Sequence, residues 1–111
     1  MQPPSTWKQA EREVCDRFGG TRKPITGRKG PDGAEDVPVF ALEIKHGDQC
    51  PIKPWRFFDQ ALQGVEEVGD ERVPAIAMHR TGMSYDDTLV AFRISDWPKV
   101  VELVLQEYAD E

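Results

Sequence analysis

With 111 residues, the chain holds one domain built on one modest core. Apolar residues at 39% and charged residues at 31% exclude a disordered segment, and no apolar run approaches the roughly 18 residues of a membrane span. The formal charge of −6, from 20 acids against 14 bases, excludes an indiscriminate nucleic-acid coat protein. Met-Gln-Pro-Pro-Ser at the start lacks the charged-then-apolar layout of a secretory signal, so a cytoplasmic protein is expected. Cys15, inside a helical pattern, and Cys50, in a Pro-containing loop, form no CxxC; ordinary thiols are expected, with no disulfide framework and no zinc site.

The chain opens with an amphipathic helix over residues ~6 to 18, where Trp7, Ala10, Val14, Cys15 and Phe18 recur at helical spacing and Gly19-Gly20 stops the pattern. A short strand is expected at Thr21 to Thr26, then a turn-rich basic loop from Gly27 to Gly33. Val37 to His46 reads as the central strand, with Phe40, Leu42 and Ile44 on one face and Val39, Ala41, Glu43 and Lys45 on the other. A second helix follows over ~54 to 68, closed by Gly69-Asp70, and two strands are expected at Val73 to His79 and Thr88 to Ile94. Ser95-Asp96 caps a closing helix whose Val100, Val101, Val104, Leu105 and Tyr108, with Trp97, are expected in the core rather than at an interface. The order α-β-β-β-α-β-β-α describes a single α/β domain with a mixed central sheet flanked by helices.

The charge is unevenly spread. Residues 20 to 56 carry seven bases and five acids, whereas residues 57 to 111 carry four bases and twelve acids. The acidity therefore belongs to the C-terminal half, and the middle alternates positive loops with carboxylates as a metal-dependent phosphate site requires. Glu11 lies inside the apolar stripe of the first helix, where a carboxylate is costly to bury without a cation or donors. Glu43 and Lys45, at i and i+2 on one strand face, place a carboxylate and an ammonium roughly 6 to 7 Å apart; a plain cross-strand salt bridge is the alternative. Ten residues separate Asp32 from Glu43, enough for a hairpin to bring the two acids together, and such a pair raises a pKa or recruits a divalent metal. Asp36 competes for the same role but leaves six residues for turn and strand, so Asp32 ranks first. His46 and His79, at strand ends, are assigned no role.

Taken together, a helix-embedded Glu, Pro31-Asp32, ten residues, then Glu43-Ile44-Lys45 on a strand resembles the PD-(D/E)XK nuclease superfamily. The segments Ala10-Glu11-Arg12-Glu13-Val14, Thr26 to Asp32 and Leu42 to Lys45 look most like archaeal and phage-type Holliday junction resolvases. The resemblance implies a restriction-endonuclease-like core and hydrolysis of DNA at four-way junctions. It further implies Mg²⁺, with Mn²⁺ as substitute, held by Glu11, Asp32 and Glu43, with Lys45 assisting catalysis. It implies a homodimer in a bacterial or phage-infected cell, and no nucleotide cofactor. Glu35 and Asp36 add acids between Pro31-Asp32 and the strand, a departure from the family pattern. Arg22, Lys23, Arg28 and Lys29 are the candidates for backbone phosphate contacts, joined by Arg56, Gln60 and Gln63 on the second helix. A related nuclease acting on flaps, nicks or ends, and a catalytically silent DNA-binding module, are the alternatives.

Overall fold

Apolar periodicity of 3.6 and of 2 alternates along the chain, and the elements follow it: α1 (Trp7–Arg17), β1 (Phe40–Gly47), α2 (Pro54–Val68), β2 (Val73–Arg80), β3 (Leu89–Ala91) and α3 (Trp97–Glu107). The computed structural model describes residues 6–23, 29–47 and 53–109. Local chemistry sets the helix ends. The Thr6 hydroxyl accepts the Gln9 amide at 3.1 Å to cap α1, Pro54 stands in the first turn of α2, and Gly69 closes α2 in the left-handed conformation at φ 65°. Helix α2 is the crossover that allows β1 and β2 to run parallel, while β3 returns antiparallel beside β2. The α/β class expected from the sequence is what forms, as a mixed three-stranded sheet in the order β1-β2-β3.

Each face of the sheet has its own cover. Leu42, Ile44, Ala75 and Ala77 pack with Val14 and Cys15 of α1, and Ile76 and Met78 pack with Ala61 under Phe57 and Phe58 of α2. Strand alternation therefore puts Glu43 and Lys45 on the α2 side. Among the described residues, no helix is long and apolar enough to cross a membrane.

Several boundaries differ from expectation. The central strand starts at Phe40 rather than Val37, because Pro38 has no amide hydrogen and Val39 turns the chain at φ 68°, a strained conformation for a β-branched residue. The strand expected at 21–26 is represented by an isolated antiparallel bridge, Arg22 to Gly33; residues 24–26 lie outside the described residues. Before α2, β1 is thus the one named strand among the described residues, in place of the three expected. The strand expected at 88–94 keeps Leu89–Ala91, after which a 3-10 turn, Ile94–Asp96, leads into α3. That helix is not the core element expected: Val100 is its one buried residue, and Trp97 is 55% exposed. Cys15 is a buried free thiol, which burial pushes up to about 12; Cys50 lies outside the described residues.

Candidate active site at the edge of β1

On the side of β1 away from β2, the loop carrying Asp32 lies along the strand edge. The Asp32 and Gly33 amides both donate to the Leu42 carbonyl, at 2.9 and 3.4 Å, and the Ile44 amide donates to the Asp32 carboxylate at 2.8 Å. A carboxylate thus takes the place of a backbone acceptor on the open edge. Two further contacts hold the loop. Arg72 forks onto Asp70 and donates to the carbonyls of Ala34 and Val37, each at 2.8 Å. Gly64 of α2 lets the loop approach closely, since a Cβ there would sit 3.3 Å from the Gly30 carbonyl carbon.

Around this edge stand Glu11, Asp32, Glu43 and Lys45. The Lys45 ammonium lies 3.2 Å from Glu43 and 5.1 Å from the ring centre of Phe57. Glu11, 6% exposed, faces Arg22 at 3.5 Å, too loosely for a hydrogen bond, so that Arg22 Nε is buried without a hydrogen-bond acceptor among the described residues. Arg22 also lies over the ring of Trp7, 5.7 Å from its centre. The acids are electrostatically strained. Burial, then the Asp32 charge, push Glu43 up to about 7 against the pull of Lys45. Burial and Asp32 likewise raise Glu11, with Arg22 opposing. Asp32 is raised by burial, although the Ile44 amide, Lys45 and Arg22 favour its charged form.

Asp36 stands apart. Its carboxylate accepts from the Thr21 amide and hydroxyl at 3.0 Å, and the amide bond, against slight desolvation, holds it below the usual carboxylate range. It fastens the loop to Thr21. Two of the expected phosphate-contacting cations are engaged within the protein: Arg22 by Glu11, and Lys23 by Glu35 at 3.4 Å. Lys29, Arg56, Gln60 and Gln63 are exposed, with Gln63 donating to Glu67 at 3.1 Å; Arg28 lies outside the described residues.

No group of three His, Cys, Asp or Glu side chains among the described residues is gathered tightly enough to hold a metal ion. The donor chemistry of Asp32 and Glu43, hard carboxylate oxygens with raised pKa values beside each other, fits a hard divalent cation. Glu11, turned to Arg22, is the member that falls short. No protein-family profile, curated protein or solved structure matches the chain.

Sequence reasoning missed Arg72, Gly64 and Trp7 as supports of this edge. Gly64 carried a signal, because a glycine in a helix interior costs ~1 kcal/mol against alanine and so points to close packing. Arg72 carried none; its targets are backbone carbonyls 35 and 38 residues away.

Proposed function

We propose that the protein is a metal-dependent endonuclease of PD-(D/E)XK type with a restriction-endonuclease-like core, resolving four-way DNA junctions by phosphodiester hydrolysis. One observation carries the reading: Asp32, Glu43 and Lys45 share one sheet edge, and Glu11 from another element is coupled to them. Asp32 and Glu43 would hold Mg²⁺ or Mn²⁺. Once bound there, such an ion supplies a Lewis acid for the phosphate and lowers the pKa of water at the site. Lys45 places a compact positive charge where the phosphate becomes more negative, and orients the attacking water. Arg22, whose Nε–H has no hydrogen-bond acceptor among the described residues, is poised to leave Glu11 for a phosphate oxygen, freeing that carboxylate for the cation. Lys29, Arg56 and Gln63 would contact the DNA backbone or its grooves.

The test uses a labelled four-way junction, a flap and a plain duplex, each with Mg²⁺ or EDTA, alongside Glu43→Gln. Paired symmetric cuts on the junction alone, lost in EDTA and in the variant, are expected. Cutting confined to flaps or ends replaces the substrate, and binding without metal-dependent cutting leaves a silent DNA-binding module.

A further inference from the structure

Helix α2 divides the sheet face that it covers. At about 100° per residue, Phe57 and Gly64 fall within ~20° of each other, toward Lys45 and the Gly30 backbone of the active edge. Trp55, Phe58, Asp59 and Leu62 fall on a separate arc about 100° wide, where they line a groove of about 570 Å³ between α2 and β3. Between these two sides, facing solvent, runs a crest that carries Arg56, Gln60 and Gln63, all exposed. Lys53, exposed at the N-cap position, heads the crest. The first acid along it is Glu67, near the far end of the helix, where Gln63 engages it at 3.1 Å.

The groove has the size and lining of a small-ligand site, apolar with a few polar groups. Phe58, Met78 and Phe92 supply apolar walls, and Asp59 and Arg93 are the charged residues of the lining. Arg93 lies over the Phe58 ring, 5.6 Å from its centre, and donates to Asp96 at 3.1 Å. Trp55 is 82% exposed, a large aromatic side chain that the fold leaves to solvent beside the groove. We propose that this groove receives an unstacked nucleobase from the DNA strand whose phosphate lies at the Glu43–Lys45 edge, an assignment that rests on the nuclease reading. A base has flat apolar faces, for which Trp55 and Phe58 are stacking partners, and an edge of donors and acceptors, which Asp59 and Arg93 can meet. The crest gives the strand its path. A helix ~10 Å across is spanned by about three nucleotides at ~3.4 Å each, with Lys53 and Arg56 beneath the phosphates. An apolar peptide would fill the groove but leave that cationic path and the charged pair unused. Bases that lack a paired neighbour, as on a flap or at an opened branch, are extruded at the lowest cost, so the groove suits branched DNA better than plain duplex.

The test titrates the full chain by fluorescence anisotropy, with Ca²⁺ at low salt, against a labelled strand of about twelve thymidines and an abasic strand of the same length. Trp55→Ala, with an unchanged circular dichroism spectrum, should bind the thymidine strand about 10-fold more weakly, and Trp55→Phe should restore most of the affinity. The abasic strand, which keeps the phosphates, should bind all three proteins alike. With 5-iodouracil in the strand, irradiation should join the base to Trp55 or Phe58, read by mass spectrometry of the digested complex. No binding, equal affinity of wild type and Trp55→Ala for the thymidine strand, an equal loss on the abasic strand, or cross-links confined to residues outside the groove overturns the proposal. Cutting of the four-way junction in Mg²⁺ is scored in parallel. Cutting without the base effect overturns the groove assignment and leaves the nuclease reading standing, whereas the base effect without cutting removes the nuclease and keeps the groove.

Discussion

Glu43 is held in a place that disfavours its charge. Its carboxyl sits at about 7 against an ordinary 4.5, so between these values the folded protein binds more protons than the unfolded chain. Stability therefore falls as pH rises through that window. Replacing the carboxylate removes the cost: Glu43→Gln should be about 1 to 2 kcal/mol more stable than wild type at pH 8 in EDTA, a midpoint several degrees higher, with little difference at pH 4. Thermal unfolding at both pH values checks this, and a lower midpoint for the variant at pH 8 would mean that the Lys45 pair outweighs burial. Lys45 is constrained in another way. Wedged between Glu43 and Phe57, it presents a compact ammonium, and a planar guanidinium fork does not fit the same role. Lys45→Arg should cut junctions at least ~10²-fold more slowly; near-wild-type cleavage removes the assigned role.

Between elements, small contacts hold the geometry. A side chain at Gly64 would push the Gly30–Pro31 backbone, and with it Asp32, out of place. Gly64→Val should lower cleavage by up to ~10²-fold while leaving every charged group present, since a displacement of about 1 Å is enough for such a loss. A wild-type rate in this variant would show that the loop yields without consequence. At the far ends of β1 and β2, His79 is fully buried, stacked on Tyr85 at 3.9 Å between ring centres. Its Nε2–H donates to the Met83 carbonyl at 2.8 Å, which leaves Nδ1 as acceptor for the His46 Nδ1–H, also at 2.8 Å. Burial lowers the His79 pKa, so its contribution to stability is present above the ordinary value of 6.5 and is lost as pH falls below it. The unfolding midpoint of wild type should drop more steeply from pH 7 to pH 5 than that of His79→Phe; equal slopes would acquit the histidine.

These elements also show how far a sequence can be read. Helices α1 and α2 were legible because period and stop signals agree, as with Gly69 after Val68. The facing of Glu43 and Lys45 followed from strand alternation. The start of β1 was misplaced because Val37 and Val39 favour a strand, while Pro38 and the turn at Val39 forbid one. The pairing of Arg22 with Glu11 and of Lys23 with Glu35 was illegible, since cations close in sequence to a basic loop give no sign of folding back on carboxylates. The roles of His79 and Arg72 depend on tertiary neighbours in the same way.

For the whole molecule, net charge opposes the proposed DNA binding. At −6 the protein repels a polyanion. With three or four phosphate contacts, junction affinity should fall about 10²-fold between 50 and 200 mM salt. Fluorescence anisotropy with Ca²⁺ in place of Mg²⁺ measures this, and a flat salt response would argue against Lys29, Arg56 and Arg22 as backbone contacts. The acceptor that Asp32 presents to Ile44 has a consequence for the isolated molecule as well. A strand edge with a bare amide is a template for another chain, and the Asp32 carboxylate closes that position. Asp32→Ala should therefore do more than silence the site: it should make the protein prone to strand-to-strand aggregation, while Asp32→Asn, whose amide oxygen still accepts from Ile44, stays in solution. Light scattering of the two variants at matched concentration separates them, and it makes the asparagine form the inactive control of choice.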